Sequence, residues 1–263
     1  MTAYVAPSMA ASISSAFAAI SLAQLALIAG MALIASVIGG VAGYGTGALM
    51  PLVLVPIVGA EPVVPIIAMS ALLTNTGRIA AYRRLIDLRR ALIVLVAAVP
   101  TCVLGAWGYT LLTGKGALLV IGGMMILSVP LRWLMRRRGL ALSDRALAAV
   151  SVGYGGIAGG TTGAGIILLS LLMAVGLQGA AVIGTDAAIS VGIGVTKVAV
   201  FGVAGAVGAQ EIAVALLIGG VALPGAFLAR TLVTRMPVYV HTAILDAVVI
   251  GGGAVMVTNA FIR

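Results

Sequence analysis

Three polar side chains interrupt a long apolar segment in the second half of the chain. Asp186, Ser190 and Lys197 lie within residues 180–203, whose other members are almost all apolar or small. An ionisable group in hydrocarbon costs about 3 kcal/mol or more unless it is paired or hydrated. On a helix, Asp186 and Lys197 return to nearly the same face, about 16 Å apart along the axis. The pattern predicts a polar stripe facing a bundle interior, where Lys197 could neutralise an anion and Asp186 could exchange a proton.

Both ionisable residues also fit a simpler interpretation. Lys197 lies near the predicted cytoplasmic end of its segment, where a lysine can extend its ammonium to the membrane interface. Asp186 lies in the predicted outer third, where it would mark the mouth of a cavity. The sequence leaves these alternatives open.

A second polar group lies in the first half of the chain, near the end of residues 63–81. Asn75 stands between Thr74 and Thr76 and is predicted to belong to a functional polar cluster. Such groups also form ordinary hydrogen bonds between helices. Arg78 is interpreted as the first residue of the basic loop that follows.

Two glycine-rich stretches interrupt apolar segments at matching places. Residues 39–51 read GGVAGYGTGALMP and residues 155–166 read GGIAGGTTGAGI. Glycine costs about 1 kcal/mol relative to alanine within a helix. Unwound backbone is tolerated in a membrane only where protein or a water-filled cavity satisfies it. Paired interruptions of this kind are the best sequence indication of a transporter's binding site.

The chemistry of these interruptions suits an anion. The N-terminus of a half-helix presents unpaired N–H groups and a partial positive charge, and threonine hydroxyls add donors. The alternative is that the glycines only allow close helix packing. The predicted substrate-binding residues are Gly43, Gly45, Thr46, Gly47, Asn75, Gly159, Gly160, Thr161, Thr162, Gly163, Ser190 and Lys197, with Asp186 as the proton-coupling candidate.

Composition predicts an integral membrane protein. The chain is 62% hydrophobic and 8% charged, whereas a soluble domain carries about 25% charged residues. Apolar runs of about 20 residues recur, and each is long enough to cross a bilayer as a helix. Barrel strands would instead show short segments of alternating polarity.

The predicted fold is all-α, with about eight transmembrane helices in two four-helix repeats. Residues 1–134 hold the first repeat with an N-terminal extension, residues 135–145 form a basic cytoplasmic linker, and residues 146–263 hold the second repeat. A Gly-rich break interrupts the first helix of each repeat. The predicted helices are residues 22–58 (broken), 63–81, 91–112, 117–134, 145–175 (broken), 180–203, 211–232 and 238–260.

The net charge of +9 is explained by orientation. Most basic residues lie in residues 78–90 and 132–145, which the positive-inside rule places in the cytoplasm. No nucleic-acid partner is predicted. With four crossings in each half, both termini are expected to be cytoplasmic and the repeats parallel. A re-entrant hairpin at either break would remove that argument.

Enzyme chemistry finds no support in the sequence. His241 and Cys102 are the only histidine and cysteine, and no paired carboxylates, metal-ligand spacing or nucleotide-binding loop occurs. We therefore predict no catalytic residue, metal or cofactor. A transporter of this type depends on an ion gradient, on the gradient of its substrate or on a partner.

The two glycine motifs resemble those of the sulfite exporter TauE/SafE family of membrane permeases. Residues 43–51 and 159–166 are similar to the family's two copies, and the resemblance extends from about residue 22 to 260. The chain departs from the denser glycine pattern at Tyr44, Thr46 and Thr161. Ile167 replaces the second proline, and Asp186 stands where a small or hydroxyl residue is common.

The resemblance implies transport of sulfite, organosulfonates such as sulfoacetate or other small organic anions, usually as export, across a bacterial-type inner membrane. The leading hypothesis is a proton-coupled secondary transporter for a small sulfur-containing or carboxylate anion. Its expected partners are that anion and membrane lipids, and a homo-oligomer is left open. The alternatives are a passive anion channel and a non-transporting membrane subunit of a larger complex.

Overall fold

The computed structural model describes residues 9–42, 46–138, 141–232 and 238–262. Within these ranges the chain is helical and contains no β-strand, which confirms the all-α prediction for them. A 3-10 helix (Arg83–Leu85) lies between the fourth and fifth α-helices. The α-helices are α1 (Met9–Ala18), α2 (Leu22–Ala42), α3 (Thr46–Val58), α4 (Val63–Tyr82), α5 (Leu88–Thr110), α6 (Gly114–Arg138), α7 (Asp144–Gly160), α8 (Gly165–Ala174), α9 (Ala180–Val203), α10 (Ala209–Leu232) and α11 (Val238–Ile262).

Several of these helices could cross a membrane. Among the described residues, four segments are long and apolar enough: Val63–Leu85, Leu88–Thr110, Gly114–Leu131 and Ala180–Val203. A fifth is possible if α1 and the first part of α2, which are bent by 99°, form one span. The protein is therefore a multi-pass membrane protein by length and composition, and the number of eight spans stays a prediction.

The helices α7 and α8 form a hairpin whose two ends meet. The backbone N–H of Leu142, just before α7, donates to Ala174 O at the end of α8 at 2.8 Å. Between the helices, Thr161 has an extended backbone and Gly163 has a φ of +80°, a conformation that favours glycine. Because the ends of this segment meet, the prediction that residues 145–175 cross the membrane once is wrong.

The hairpin reverses the predicted direction of α9. The N–H of Asp87, in the basic segment before α5, donates to Thr185 Oγ1 near the start of α9 at 3.0 Å. Farther along, Gly194 packs against Leu72 of α4, so α9 runs antiparallel to α4 and away from the basic segment. The predicted depths of two residues are therefore exchanged: Asp186 lies toward the basic end and Lys197 lies away from it.

The end of α11 lies opposite the basic segment. Lys115, at the start of α6, places its Nζ 5.4 Å from the ring centre of Phe261. The start of α6 follows the end of α5, one helix length away from the basic segment at residues 83–90. The prediction that both termini share the basic side is therefore wrong for the C-terminal end, and residues 1–8 lie outside the described residues.

An ion-pair cluster joins the start of the hairpin to the start of α5. Asp144 pairs with Arg89 at 2.9 Å and with Arg90 at 3.6 Å, and Arg90 also pairs with Asp87 at 3.2 Å. Asp87 caps α5 by accepting the backbone N–H of Arg90. Each of these solvent-accessible pairs contributes little by itself, although only Arg89 is mostly exposed. Together they fix the entry of the hairpin beside α5.

Glycines let α5 and α7 pack backbone to backbone. A Cβ on Gly155 would overlap Ala98 O, and one on Gly159 would overlap Cys102 O. In the same contact, a Cβ on Gly105 of α5 would overlap Gly156 O. Small residues are the usual means by which membrane helices approach this closely. The contact holds the hairpin against the long helix α5.

The main helix contacts join the first half of the chain to the second. The helix α10 packs against α2, as α5 packs against α7, while α4 packs against α9 and α6 against α11. In the first half, α2 ends at Ala42 and α3 begins at Thr46, and residues 43–45 between them lie outside the described residues. The division into two four-helix repeats stays a prediction.

We predict that Gly159→Ala lowers the melting temperature of the purified protein in detergent, because the new methyl group forces α7 away from Cys102 O. Overpacking of this kind costs about 1–3 kcal/mol. Gly156→Ala is the matched control, since its Cβ would lie 3.9 Å from the nearest atom, Thr101 O. Equal melting temperatures for the two variants would contradict the close contact.

Candidate functional site

A cavity of about 140 Å³ lies among α4, α9, the turn of the α7–α8 hairpin and the start of α3. One water needs roughly 10–15 Å³ of such volume, so the cavity accommodates several waters or one small anion. Pockets for drug-sized ligands have volumes of about 300–1,000 Å³, so this cavity is smaller than those. The polar residues that line it are Thr46, Thr74, Asn75, Arg78, Tyr154, Thr161, Thr162, Asp186, Ser190 and Lys197.

Helical spacing explains why α4 and α9 present these side chains together. Residues three, four or seven apart on a helix share one face. The cavity residues of α4 are Ile67, Ala68, Ala71, Thr74, Asn75 and Arg78, and those of α9 are Asp186, Ser190, Ile193, Gly194 and Lys197. Since α4 and α9 are antiparallel neighbours, the two polar stripes face the same space.

The two glycine-rich stretches meet at this cavity. A Cβ on Gly47 would lie 3.1 Å from the backbone nitrogen of Gly163, so the two backbones approach closely there. The helix α8 begins just after Gly163, and its N-cap residue, Ala164, makes no side-chain capping bond. The starts of α3 and α8 therefore both lie at the cavity, where their partial positive charges favour an anion.

Lys197 bonds to the end of α7 from inside the bundle. Its Nζ donates to Ala158 O and to Thr161 O, each at 2.8 Å, and the residue is only 7% exposed. The last carbonyls of a helix have no partner within that helix, and a cation stabilises this end of the helix dipole. Lys197 is therefore a cap for the broken helix, and its ammonium does not extend to a membrane interface.

Asp186 presents an unpaired oxygen at the same cavity. The residue is 3% exposed, and its Oδ1 has no hydrogen-bond partner among the described residues. Thr162 Oγ1 is likewise buried without such a partner there. A buried acceptor that lacks a donor is costly, and a proton on the carboxyl group reduces that cost. This environment suits a carboxyl group that gains and loses a proton.

Most of the predicted site residues come together here. Thr46, Gly47, Asn75, Thr161, Thr162, Gly163, Ser190, Lys197 and Asp186 all line the cavity. By contrast, Gly159 faces Cys102 of α5, and a Cβ on Gly160 would lie 3.1 Å from Gly105 O. These two glycines serve helix packing and do not line the cavity. Gly43 and Gly45 lie outside the described residues.

Three polar lining residues are not among the predicted substrate-binding residues: Thr74, Arg78 and Tyr154. Thr74 enters the prediction only as a neighbour of Asn75 in the polar cluster. The interpretation of Arg78 as a loop residue is wrong, because α4 continues to Tyr82. Its spacing of three residues from Asn75 could have placed it on the same helix face.

Among the described residues, no group of three His, Cys, Asp or Glu side chains could hold a metal ion.

Comparison with known proteins gives one match. The family model described as sulfite exporter TauE/SafE matches residues 27–256, which is most of the chain. No curated protein and no solved structure matches the chain.

We predict that Lys197→Met lowers the melting temperature of the purified protein even without any anion. The variant leaves Ala158 O and Thr161 O without their donor, and each unsatisfied buried group costs about 1–3 kcal/mol. Lys115→Met is the control, because Lys115 is exposed and contacts only the ring of Phe261 among the interactions described here. An equal change in both variants would contradict the capping role.

Proposed function

The chain belongs to the sulfite exporter TauE/SafE family, and we propose that it is a proton-coupled secondary transporter that exports small sulfur-containing or carboxylate anions. The family is one of membrane transporters of sulfur anions. The direction of transport in this proposal follows the family's description. The main support for an anionic substrate and for proton coupling is the cavity, which is lined by both glycine-rich stretches and by two cationic side chains.

The charges around the cavity support an anionic substrate. Arg78 and Lys197 bring two positive charges, and Asp186 brings one negative charge when ionised. The starts of α3 and α8 add partial positive charge. With Asp186 protonated the cavity carries a clear positive excess, whereas an ionised Asp186 offsets one of the two cations. Anion binding is therefore linked to the protonation of this carboxyl group.

Proton coupling follows from this linkage. The titratable groups that face Asp186 are Arg78 from α4, Tyr154 from α7 and Lys197 from its own helix, while Cys102 of α5 is buried nearby against α7. A proton on Asp186 strengthens anion binding, so proton and anion move together. The sum of their two electrochemical gradients then sets the direction, and the anion is exported when its outward gradient exceeds the inward gradient of the proton.

The first test is transport by the purified chain in proteoliposomes, with the membrane voltage clamped. Acidifying the outside should drive radiolabelled sulfoacetate to an internal concentration above the external one. A passive anion channel would only equalise the two concentrations. Protein that neither binds nor moves sulfite or sulfoacetate would contradict the proposal and favour a non-transporting subunit.

We predict that Asp186→Asn removes accumulation driven by the pH gradient. The amide stays neutral, so the affinity for sulfoacetate should no longer rise as the pH falls, whereas the wild-type affinity should. The measurement is the dissociation constant as a function of pH, together with accumulation in proteoliposomes. Glu61→Gln is the control, because Glu61 is an exposed acid away from this cavity. Accumulation by Asp186→Asn at the wild-type level would reject the coupling role.

A further inference from the structure

Arg78 differs from the other arginines near the end of α4. It lies within the helix and is partly buried. It lines the cavity on the same side of α4 as Thr74 and Asn75, which precede it by about one turn. Arg83 and Arg84 instead lie in the exposed 3-10 helix that follows. A residue needed only for membrane orientation would have no reason to reach the cavity, since the exposed arginines already supply positive charge on that side.

The guanidinium of Arg78 makes no hydrogen bond and no close ion pair with the part of the chain that the structure describes. No described residue accepts a hydrogen bond from it, and no described carboxylate lies within 4.0 Å. Asp186 lines the same cavity from α9 with its own unpaired oxygen. The two opposite charges thus share a cavity without closing an ion pair, which leaves space between them.

The two cations of the cavity therefore have different tasks. Two of the three N–H groups of the Lys197 ammonium are used by Ala158 O and Thr161 O. Arg78 retains five N–H donors in a planar fork, which matches two oxygens on one face of an oxyanion. A compact ammonium acts as a point charge and lacks this preference.

From this arrangement we propose that Arg78 binds the oxyanion end of the substrate and selects small carboxylates, sulfite and sulfonates over spherical anions such as chloride. This inference rests on the proposed function and adds the group that determines specificity. Asn75 lies one turn before Arg78 and supplies an amide N–H to the same end of the anion. The hydroxyl of Thr74 donates to Ala71 O at 3.2 Å, so it does not donate to the anion. Lys197 instead holds the helix break in place and contributes positive charge.

The test compares Arg78→Lys with wild type in the purified full-length protein. Lysine keeps the positive charge, and with it the membrane orientation, but removes the fork. We expect the dissociation constant for sulfite and for sulfoacetate to rise at least tenfold. Inhibition of binding by chloride should change much less, so the preference for oxyanions over chloride falls. Because this preference is a ratio of affinities, it does not depend on the fraction of protein that is folded.

Arg83→Lys is the matched control and should keep the wild-type preference. The inference is overturned if Arg78→Lys keeps the wild-type preference as well, or if both variants lose it equally. Wild-type protein that shows no thermal shift with sulfite or sulfoacetate would overturn the proposed function itself, and this inference with it, because a ligand that binds the native form stabilises it. The two failures are therefore distinguished by the wild-type measurement.

Discussion

The structure depends on how the carbonyl groups at the end of a broken helix find hydrogen-bond donors inside a membrane. The helix α7 ends at Gly160 in the interior of the bundle, where water is scarce and an unpaired carbonyl group is costly. Lys197 supplies the missing donors from a neighbouring helix. The contact satisfies two buried groups at once: the carbonyl groups at the end of α7 gain a donor, and the buried ammonium of Lys197 gains acceptors. The cavity can form next to the break because the break is stable.

The parts that make the fold also make the proposed site. The close packing of α5 on α7 places the hairpin at a fixed depth, and the φ of Gly163 turns the start of α8 toward the cavity. The antiparallel contact of α4 with α9 then adds the side chains that carry charge. Arg78, Asp186 and Lys197 come from two helices that are distant in sequence, and only the hairpin between them gives α9 the direction that brings these residues together.

The sequence predicted the helices well and their directions poorly. Apolar runs locate α4, α5, α6 and α9 because length and composition decide whether a helix can span a membrane. A broken segment such as residues 145–175 is different, since it has enough residues for either one kinked crossing or a hairpin. The choice depends on the backbone at Thr161 and Gly163, which composition does not reveal. Glycine itself is equally ambiguous: Gly159 packs against α5, whereas Gly163 turns the chain.

The capping of α7 by Lys197 also has a consequence for how the protein is made. The hairpin leaves the ribosome before α9 does, and at that stage the carbonyl groups at its turn have no ammonium to pair with. A hairpin with unsatisfied backbone at its turn is poorly suited to enter lipid alone. We therefore expect stable insertion of α7 and α8 to require the chain through Lys197, with the three helices entering the bilayer as a single unit of biogenesis.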